Sequence, residues 1–469
     1  MTDAPRRPEP PETGSTSAPA PPRTGLELRD GVRIPRRQVY SWALWDWGTQ
    51  PFNTVILTFV FTASYLISES FLDPSVASLD DDDPLRVRAL AELTSGLGLW
   101  TTLAGVLVAL VAPVLGQRAD ASGRRKAWLG GATGGMVLCM LALWFVEADP
   151  AYFVFGAIVI GLGSVLSEIA GVNYNAMMVS VATPRTVGKV SGLGWGLGYM
   201  GGILMLLLVV IANGAGWWGM PTDNGLAYRV IAVGCAVWAV AFVWPIFAFV
   251  PELPPTKGRA KVGFFASYAV LYRDILGLWR TARRTFWFLL ASAVFRDGLS
   301  GVFAFGAIIG SVSFGFSPDQ VIIFGIAANL VAGVSTILIG RADDRFGPRS
   351  VILSTLSVIV VAGLAVVFLR DLGPVVYWVG GLVLSACVGP AQAASRSYLA
   401  RVTPAGKESE IFGLYATTGR ATSWMSHGLW TILIAVTGAT IWGTLGIIAV
   451  VLLGLVLMWF VQEAPVADA

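Results

Sequence analysis

The decisive stretch is GQRADASGRRK, residues 116–126, because it returns as GRADDRFGPRS at residues 340–350. Gly116, Asp120, Gly123 and Arg125 stand in register with Gly340, Asp344, Gly347 and Arg349 at a constant offset of 224 residues. A second echo lies nearby. Thr183-Pro184 with Gly188-Lys189 answers Thr403-Pro404 with Gly406-Lys407, at offsets of 218 to 220. Two separate echoes at nearly one spacing predict duplicated halves. Within each loop the glycines permit tight chain reversal, and the aspartate can face the positive N-terminus of a neighbouring helix.

The sequence around these loops belongs in a membrane. Hydrophobic residues make up 55% of the 469, charged residues 13%, and the mean hydropathy is +0.69. Stretches of about 20 apolar residues, long enough to cross a bilayer as helices, recur along the chain. Twelve are expected, the first near 42–67, the second near 94–115, the eleventh near 411–436 and the last near 440–461. The fold class is therefore an all-α membrane protein with two six-helix halves, 41–250 and 285–461. A basic cytoplasmic linker, 251–284, joins them, and a cytoplasmic tail, 462–469, follows. Residues 1–40 hold eight prolines and seven arginines and no apolar core of a signal peptide, so they read as a disordered tail. With the N-terminus placed inside, the inner segments hold 25 lysines and arginines and the outer loops four, which puts both termini in the cytoplasm. These basic residues serve topology, and no nucleic-acid partner is expected. Cys139, Cys235 and Cys387 fall in separate helices without paired spacing and read as small apolar residues.

The loop pattern G-x-x-x-D-x-x-G-R-R/K resembles the signature between helices two and three of the major facilitator superfamily. The copy with Gly116, Asp120, Gly123, Arg124, Arg125 and Lys126 is complete; the second has Pro348 where a basic residue is usual. SWALWDW from Ser41, NYNAMM from Asn173 followed by GKVSGLGWGLGYMGG, and GPAQAASRSYLARVTPAGKESEIFGLY from Gly389 look like the vacuole-effluxer branch, whose best-known members are fungal vacuolar amino-acid exporters. The chain departs from that branch at Gly48-Thr49-Gln50 and at Ser426-His427. The resemblance implies a major facilitator fold whose helices one, four, seven and ten line a central cavity. It also implies secondary transport, with amino-acid export as the family default.

Charges inside apolar spans are costly and should face water, a partner or substrate. They are Asp46 in helix one, Glu168 in four, Arg296 and Asp297 in seven, Arg396 in ten and Arg420 in eleven. Five of the six fall on the implied cavity helices. Asp46, Gln50 and Asn53 form one helical stripe, as do Ser164, Glu168, Gly171 and Asn175. Asp46 is placed in the cavity near its cytoplasmic mouth, or against the helix dipole or an arginine of the tail. Glu168 is the candidate titrating group for proton coupling, or a partner of Arg296. Arg296 and Asp297 point about 100° apart, so only one can face a given spot. Arg396 reads as a topology or gate charge. His427 shares a face with Arg420 and Trp424, as a proton relay or as a polar residue packed between helices. Gly194, Gly198 and Gly202, with Gly192 and Gly196, suit a rocking interface, and Trp45, Trp47 and Trp195 are aromatic candidates for substrate contact. Asp120 is expected at the start of helix eleven and Asp344 at the start of helix five.

The sequence thus points to a transporter and away from an enzyme, having no phosphate-binding glycine loop and no metal-spaced His/Cys cluster. No cofactor and no metal are expected. The expected role is a monomeric, multi-pass, proton-coupled exporter of a small organic solute in the cell membrane. A drug or sugar facilitator is the alternative, and a membrane enzyme or lipid-handling protein the remote one.

Overall fold

A computed structural model of the protein describes residues 23–220, 224–252 and 263–464. Its long helices are α1 (Arg36–Pro51), α2 (Pro84–Ser122), α3 (Arg125–Ala142), α4 (Phe153–Ala176), α5 (Val187–Gly214), α6 (Leu226–Phe249), α7 (Phe264–Thr281), α8 (Arg283–Ile308), α9 (Pro318–Phe346), α10 (Pro348–Phe368), α11 (Pro374–Val402), α12 (Glu408–Thr422), α13 (Met425–Thr437) and α14 (Thr440–Trp459). Among the described residues, ten helices are long and apolar enough to cross a membrane. The first and eleventh expected spans depart from regular α-helix.

In the first, Pro51 has no N–H to donate, and beyond it the helix widens to π geometry over Phe52–Phe59 and Phe61–Leu66. The hydroxyls of Thr58 and Thr62 donate to carbonyls five residues back, at Asn53 and Leu57. In the eleventh, α12 stops at Thr422 and α13 restarts at Met425. Asp297 of α8 supports the restart, its carboxylate accepting from the Ser426 N–H at 2.6 Å and from Ser426 Oγ at 3.1 Å.

Helix ends follow the local sequence. Pro84 opens α2 behind Asp83, whose side chain accepts from the Leu85 N–H at 2.8 Å. Ser317 and Gln320 form a capping box at the start of α9. Gly123 (φ 62°) ends α2, and Gly347 (φ 82°) ends α9, in the left-handed region that glycine favours.

Two expectations need correction, for the second span and for the N-terminal tail, and the linker gains detail. The second span lies within a far longer helix, α2, of 39 residues, which runs about 58 Å at 1.5 Å per residue. Arg86 sits near its start and pairs with Glu69 and Asp81 at 2.7 and 2.8 Å. The expected disordered tail is ordered from residue 23: Thr24 bridges to Pro404, Ala405 donates to the Arg23 carbonyl at 3.0 Å, and Leu26 is buried in the core. An apolar Leu26 with a site to fill overrides the proline-rich composition around it. The part of that tail before residue 23 lies outside the described residues. The linker carries a helix, α7, whose Leu271 and Leu278 are buried and whose Asp274 meets Lys407 at 3.0 Å. The rest of the linker, 253–262, and most of the expected cytoplasmic tail, from 465 on, lie outside the described residues.

The six helices α1–α6 pack together, as do α8–α14, and the two bundles meet mainly where α2 lies on α12 and α5 on α9. Both repeated loops lie at one end of the molecule. The first and last described segments are there too, since Gln462 accepts through its carbonyl from the Tyr398 hydroxyl at 2.6 Å. At this end the bundles touch backbone to backbone. A Cβ on Gly116 would stand 2.1 Å from the Ser409 carbonyl oxygen, and one on Gly192 2.6 Å from that of Thr336. Toward the other end α5 and α9 diverge around a cavity of about 550 Å³ with mostly apolar walls.

Candidate functional site

The closed end is a doubled electrostatic contact. Asp120 is 1% exposed. It accepts from the backbone N–H of Ser409 and Glu410 at 3.1 and 2.9 Å, at the start of α12. Asp344 accepts from Gly188 and Lys189 N–H at 2.7 and 3.0 Å, at the start of α5. Both aspartates thus stand at the helix N-termini where the sequence places them, each across the junction between halves.

The basic partners differ between the two loops. Arg125 donates to Asp120 at 2.6 Å and to Glu408 of the other half at 2.6 Å. Arg349, its counterpart in register, instead holds the end of α14, donating to the carbonyls of Val461 and Trp459 at 2.7 and 2.8 Å. The position of Arg125 is filled by Arg401 of α11, which meets Asp343 at 3.2 Å, Asp344 at 3.4 Å and the Pro184 carbonyl at 2.9 Å. The Arg124 side chain points to solvent.

Between the halves lies a cavity of about 220 Å³. Asp46, Gln50, Asn53, Glu168, Asn175, Arg296 and Arg396 all line it, so seven of the nine pathway candidates come together. Arg396 is its most heavily held group. From α11 it reaches into the first half, donating to Asn175 Oδ1 at 3.0 Å and to the Ser191 carbonyl at 2.7 Å, with Asp46 Oδ2 at 3.6 Å. Its guanidinium lies 4.7 Å from the Trp195 ring centre and within 6 Å of Trp42 and Tyr174. Trp42 and Trp45 stack on the two sides of Tyr174, at 4.4 and 4.3 Å between ring centres. Arg396 is therefore a tie between halves, buried among rings, and not a surface topology charge.

Glu168 pairs with Arg420 of α12, across the cavity, and not with Arg296. Arg296 instead lies over the Tyr415 ring at 3.7 Å and donates to the Tyr415 carbonyl at 2.9 Å. Asp297, turned away from the cavity, serves the start of α13. His427 also lies elsewhere, exposed, with its ring 5.0 Å from that of Phe305. The break between α12 and α13 separates it from the face of Arg420. Of the helix-five glycines, Gly194, Gly198 and Gly202 face Trp42, Asp46 and Thr54 inside their own half, whereas Gly192 and Gly196 meet α9. Trp47 stacks on Trp238 outside the cavity. Among the described residues no group of three His, Cys, Asp or Glu side chains could hold a metal ion.

Sequence reasoning passed over Ser191, Asp343, Arg401, Glu408 and Tyr415. Asp343 and Glu408 each adjoin a recognised motif residue, and this adjacency was the available signal.

Two bundles related by an internal repeat, meeting over a charged cavity with paired gate loops, define a transporter of the major facilitator class. The chain belongs to the family described as vacuole effluxer Atg22 like, whose model matches residues 180–465. It is 23% identical over 436 residues to an uncharacterized MFS-type transporter, YxiO, of Bacillus subtilis, covering 92% of this chain and 96% of that one. It is also 25% identical over 265 residues to autophagy-related protein 22 of Cryptococcus neoformans, 51% of this chain and 46% of that protein. In fold it is similar to the human organic anion transporter MFSD10, with a TM-score of 0.68 at 18% identity over 90% of this chain and 99% of that one. It is likewise similar to the proton:xylose symporter XylE, with a TM-score of 0.65 at 13% identity over 91% of this chain and 95% of that one. These relatives are transporters and not enzymes, and the chain is a multi-pass membrane protein.

Proposed function

We propose that the protein is a monomeric secondary active transporter of the cell membrane that moves a small, amino-acid-sized solute by alternating access, coupled to protons. Twelve segments cross the bilayer in this reading, the π-helical first and the broken eleventh included, and both termini lie in the cytoplasm. The observation that carries it is the cavity between the halves, shut at the end bearing the repeated loops and flanked by diverging helices at the other. The bias of lysines and arginines makes the shut end cytoplasmic, so the conformation is outward-facing.

A volume of about 220 Å³ falls below the range of roughly 300–1,000 Å³ common for drug-sized ligands. Its walls present both signs of charge, as a zwitterion requires. Asp46, which lines the cavity beside Arg396, supplies the carboxylate toward which an ammonium group would be drawn. The family description supports export as the direction of net flux. The larger apolar cavity between α5 and α9 favours a second reading, a facilitator of bulkier apolar drugs. Counterflow of radiolabelled amino acids into proteoliposomes, with and without a pH gradient, separates the two. Uptake above that of protein-free vesicles and enhanced by the gradient is expected; uptake of hydrophobic drugs alone would favour the second reading.

A further inference from the structure

We propose that the cavity takes its solute by a carboxylate, held between the guanidinium groups of Arg296 and Arg420, and that each solute travels in the same direction as one proton carried on Glu168. This rests on the transport reading above and adds to it the ligand chemistry and the sense of the coupling.

Five charged side chains face the cavity: Arg296 from α8, Arg396 from α11 and Arg420 from α12, against Asp46 from α1 and Glu168 from α4. Arg396 is committed, 2% exposed and bonded to Asn175 and Ser191 beside Asp46. Arg420 and Glu168 are not. Their side chains are 39% and 38% exposed, and water in the cavity reaches both. Arg296 has a ring and a carbonyl for partners, and no carboxylate among the described residues. A Cβ built on Gly419, the residue before Arg420, would lie 3.1 Å from Arg296 Nη1, so Arg296 packs on α12 one residue before Arg420, and both arginines line the same cavity. Of these two guanidinium groups only that of Arg420 has a carboxylate partner, Glu168, and that of Arg296 has none among the described residues.

Guanidinium forks match a carboxylate in two parallel hydrogen bonds, and a cation in a low-dielectric site favours an anion beside it. The solute carboxylate and Glu168 compete for Arg420. Water at the open side gives a proton to the Glu168 carboxylate, forming its O–H bond while the ion pair to Arg420 breaks. The solute carboxylate then takes the freed guanidinium together with Arg296. Three arginines and two acids leave the empty cavity with one net positive charge; a monocarboxylate entering with a proton leaves that charge unchanged, and a zwitterion entering with a proton raises it by one. On the far side the solute departs, Glu168 returns its proton to water, and the pair with Arg420 re-forms. An outward solute gradient thus exports solute and protons together.

The test uses the full chain in proteoliposomes enclosing a pH-sensitive dye. The probes are the amino acids, their analogues without the amino group, their analogues without the carboxyl group, a sugar, and radiolabelled inorganic phosphate, each corrected for leak in protein-free vesicles. Solute entry is expected only from the two carboxylate-bearing sets, with acidification of the lumen. Glu168→Gln should keep solute exchange and lose the acidification. Arg296→Gln should lower uptake at least tenfold, and Arg296→Lys, which keeps the charge without the fork, should raise KM more than it lowers kcat while the melting temperature stays unchanged. Entry of an amine, a sugar or phosphate, or entry that makes the lumen alkaline, overturns this proposal and leaves the transporter reading standing. Movement of none of the probes overturns both.

Discussion

Asp120→Asn tests the closed end at a point 1% exposed. The carboxylate accepts two backbone N–H groups from the opposite half, at 3.1 and 2.9 Å. These bonds exist only while the end is shut. Hydrogen bonds to a charged group contribute about 1.5–3 kcal/mol each, and a neutral amide oxygen keeps one of them at about half strength. The amide NH2 then faces the second donor. The bond from Arg125 to Asp120 joins residues of one half and persists in both conformations, so its loss largely cancels from the difference between them. The net bias against the shut state is about 2–4.5 kcal/mol, roughly a 30- to 2,000-fold shift toward the opposite conformation.

Spin labels at Arg124 and Arg345, exposed on opposite halves, would report the shift by pulsed EPR as a second, longer distance population. Turnover in proteoliposomes should fall while solute affinity stays nearly constant. Gly116→Ala should act in the same direction without any change of charge, because its Cβ would collide with the Ser409 carbonyl. Distance distributions unchanged in both variants would refute the reasoning.

Deleting residues 1–34 removes Leu26 from its buried site, which corresponds to about 1.5–3 kcal/mol for one leucine side chain; the same label pair should show a smaller shift in the same direction. Asp297→Ala strips the start of α13 of its support at Ser426 and should lower the melting temperature in detergent. His427→Ala, at an exposed position off the cavity, should leave both the melting temperature and proton-coupled uptake near wild type.

The gate was legible because it is written twice. The repeat marks Asp120 and Asp344 as equivalent, the helix dipole makes a helix start the natural partner of each, and the resemblance to the major facilitator class supplied the arrangement in which those starts belong to the opposite half. Arg349 shows the limit of the same logic. It is in register with Arg125, yet Arg125 is the first residue of α3 and Arg349 the second of α10, and one residue turns a helix by about 100°. The equivalent charge then comes from Arg401, on another helix.

The stripes that line the cavity on helices one and four could be read from helical spacing, and the resemblance implied which helices surround it; which carboxylate meets which arginine could not be read. That choice depends on the widening of the helix after Pro51 and the break before Met425, which shift azimuth and height in ways no periodic pattern records. Of the two readings of Arg396, topology charge or gate charge, burial excludes only the first, and local sequence did not decide between them for a related reason. Its burial is created by Trp42, Tyr174 and Trp195, drawn from three different helices, and nothing local to residue 396 announces them.

Each half of this chain offers the other the same two surfaces, a loop aspartate and a helix start that receives one. The contact between bundles is thus an isologous interface written within one polypeptide, the self-complementary patch of a two-fold dimer whose subunits have been joined by a linker. A single six-helix unit of this kind would have had everything needed to pair with a second copy of itself. Covalent fusion then freed the two copies to diverge, so that Arg125 and Arg401 now do one job from different helices, and the cavity on the axis holds side chains with no counterpart across it.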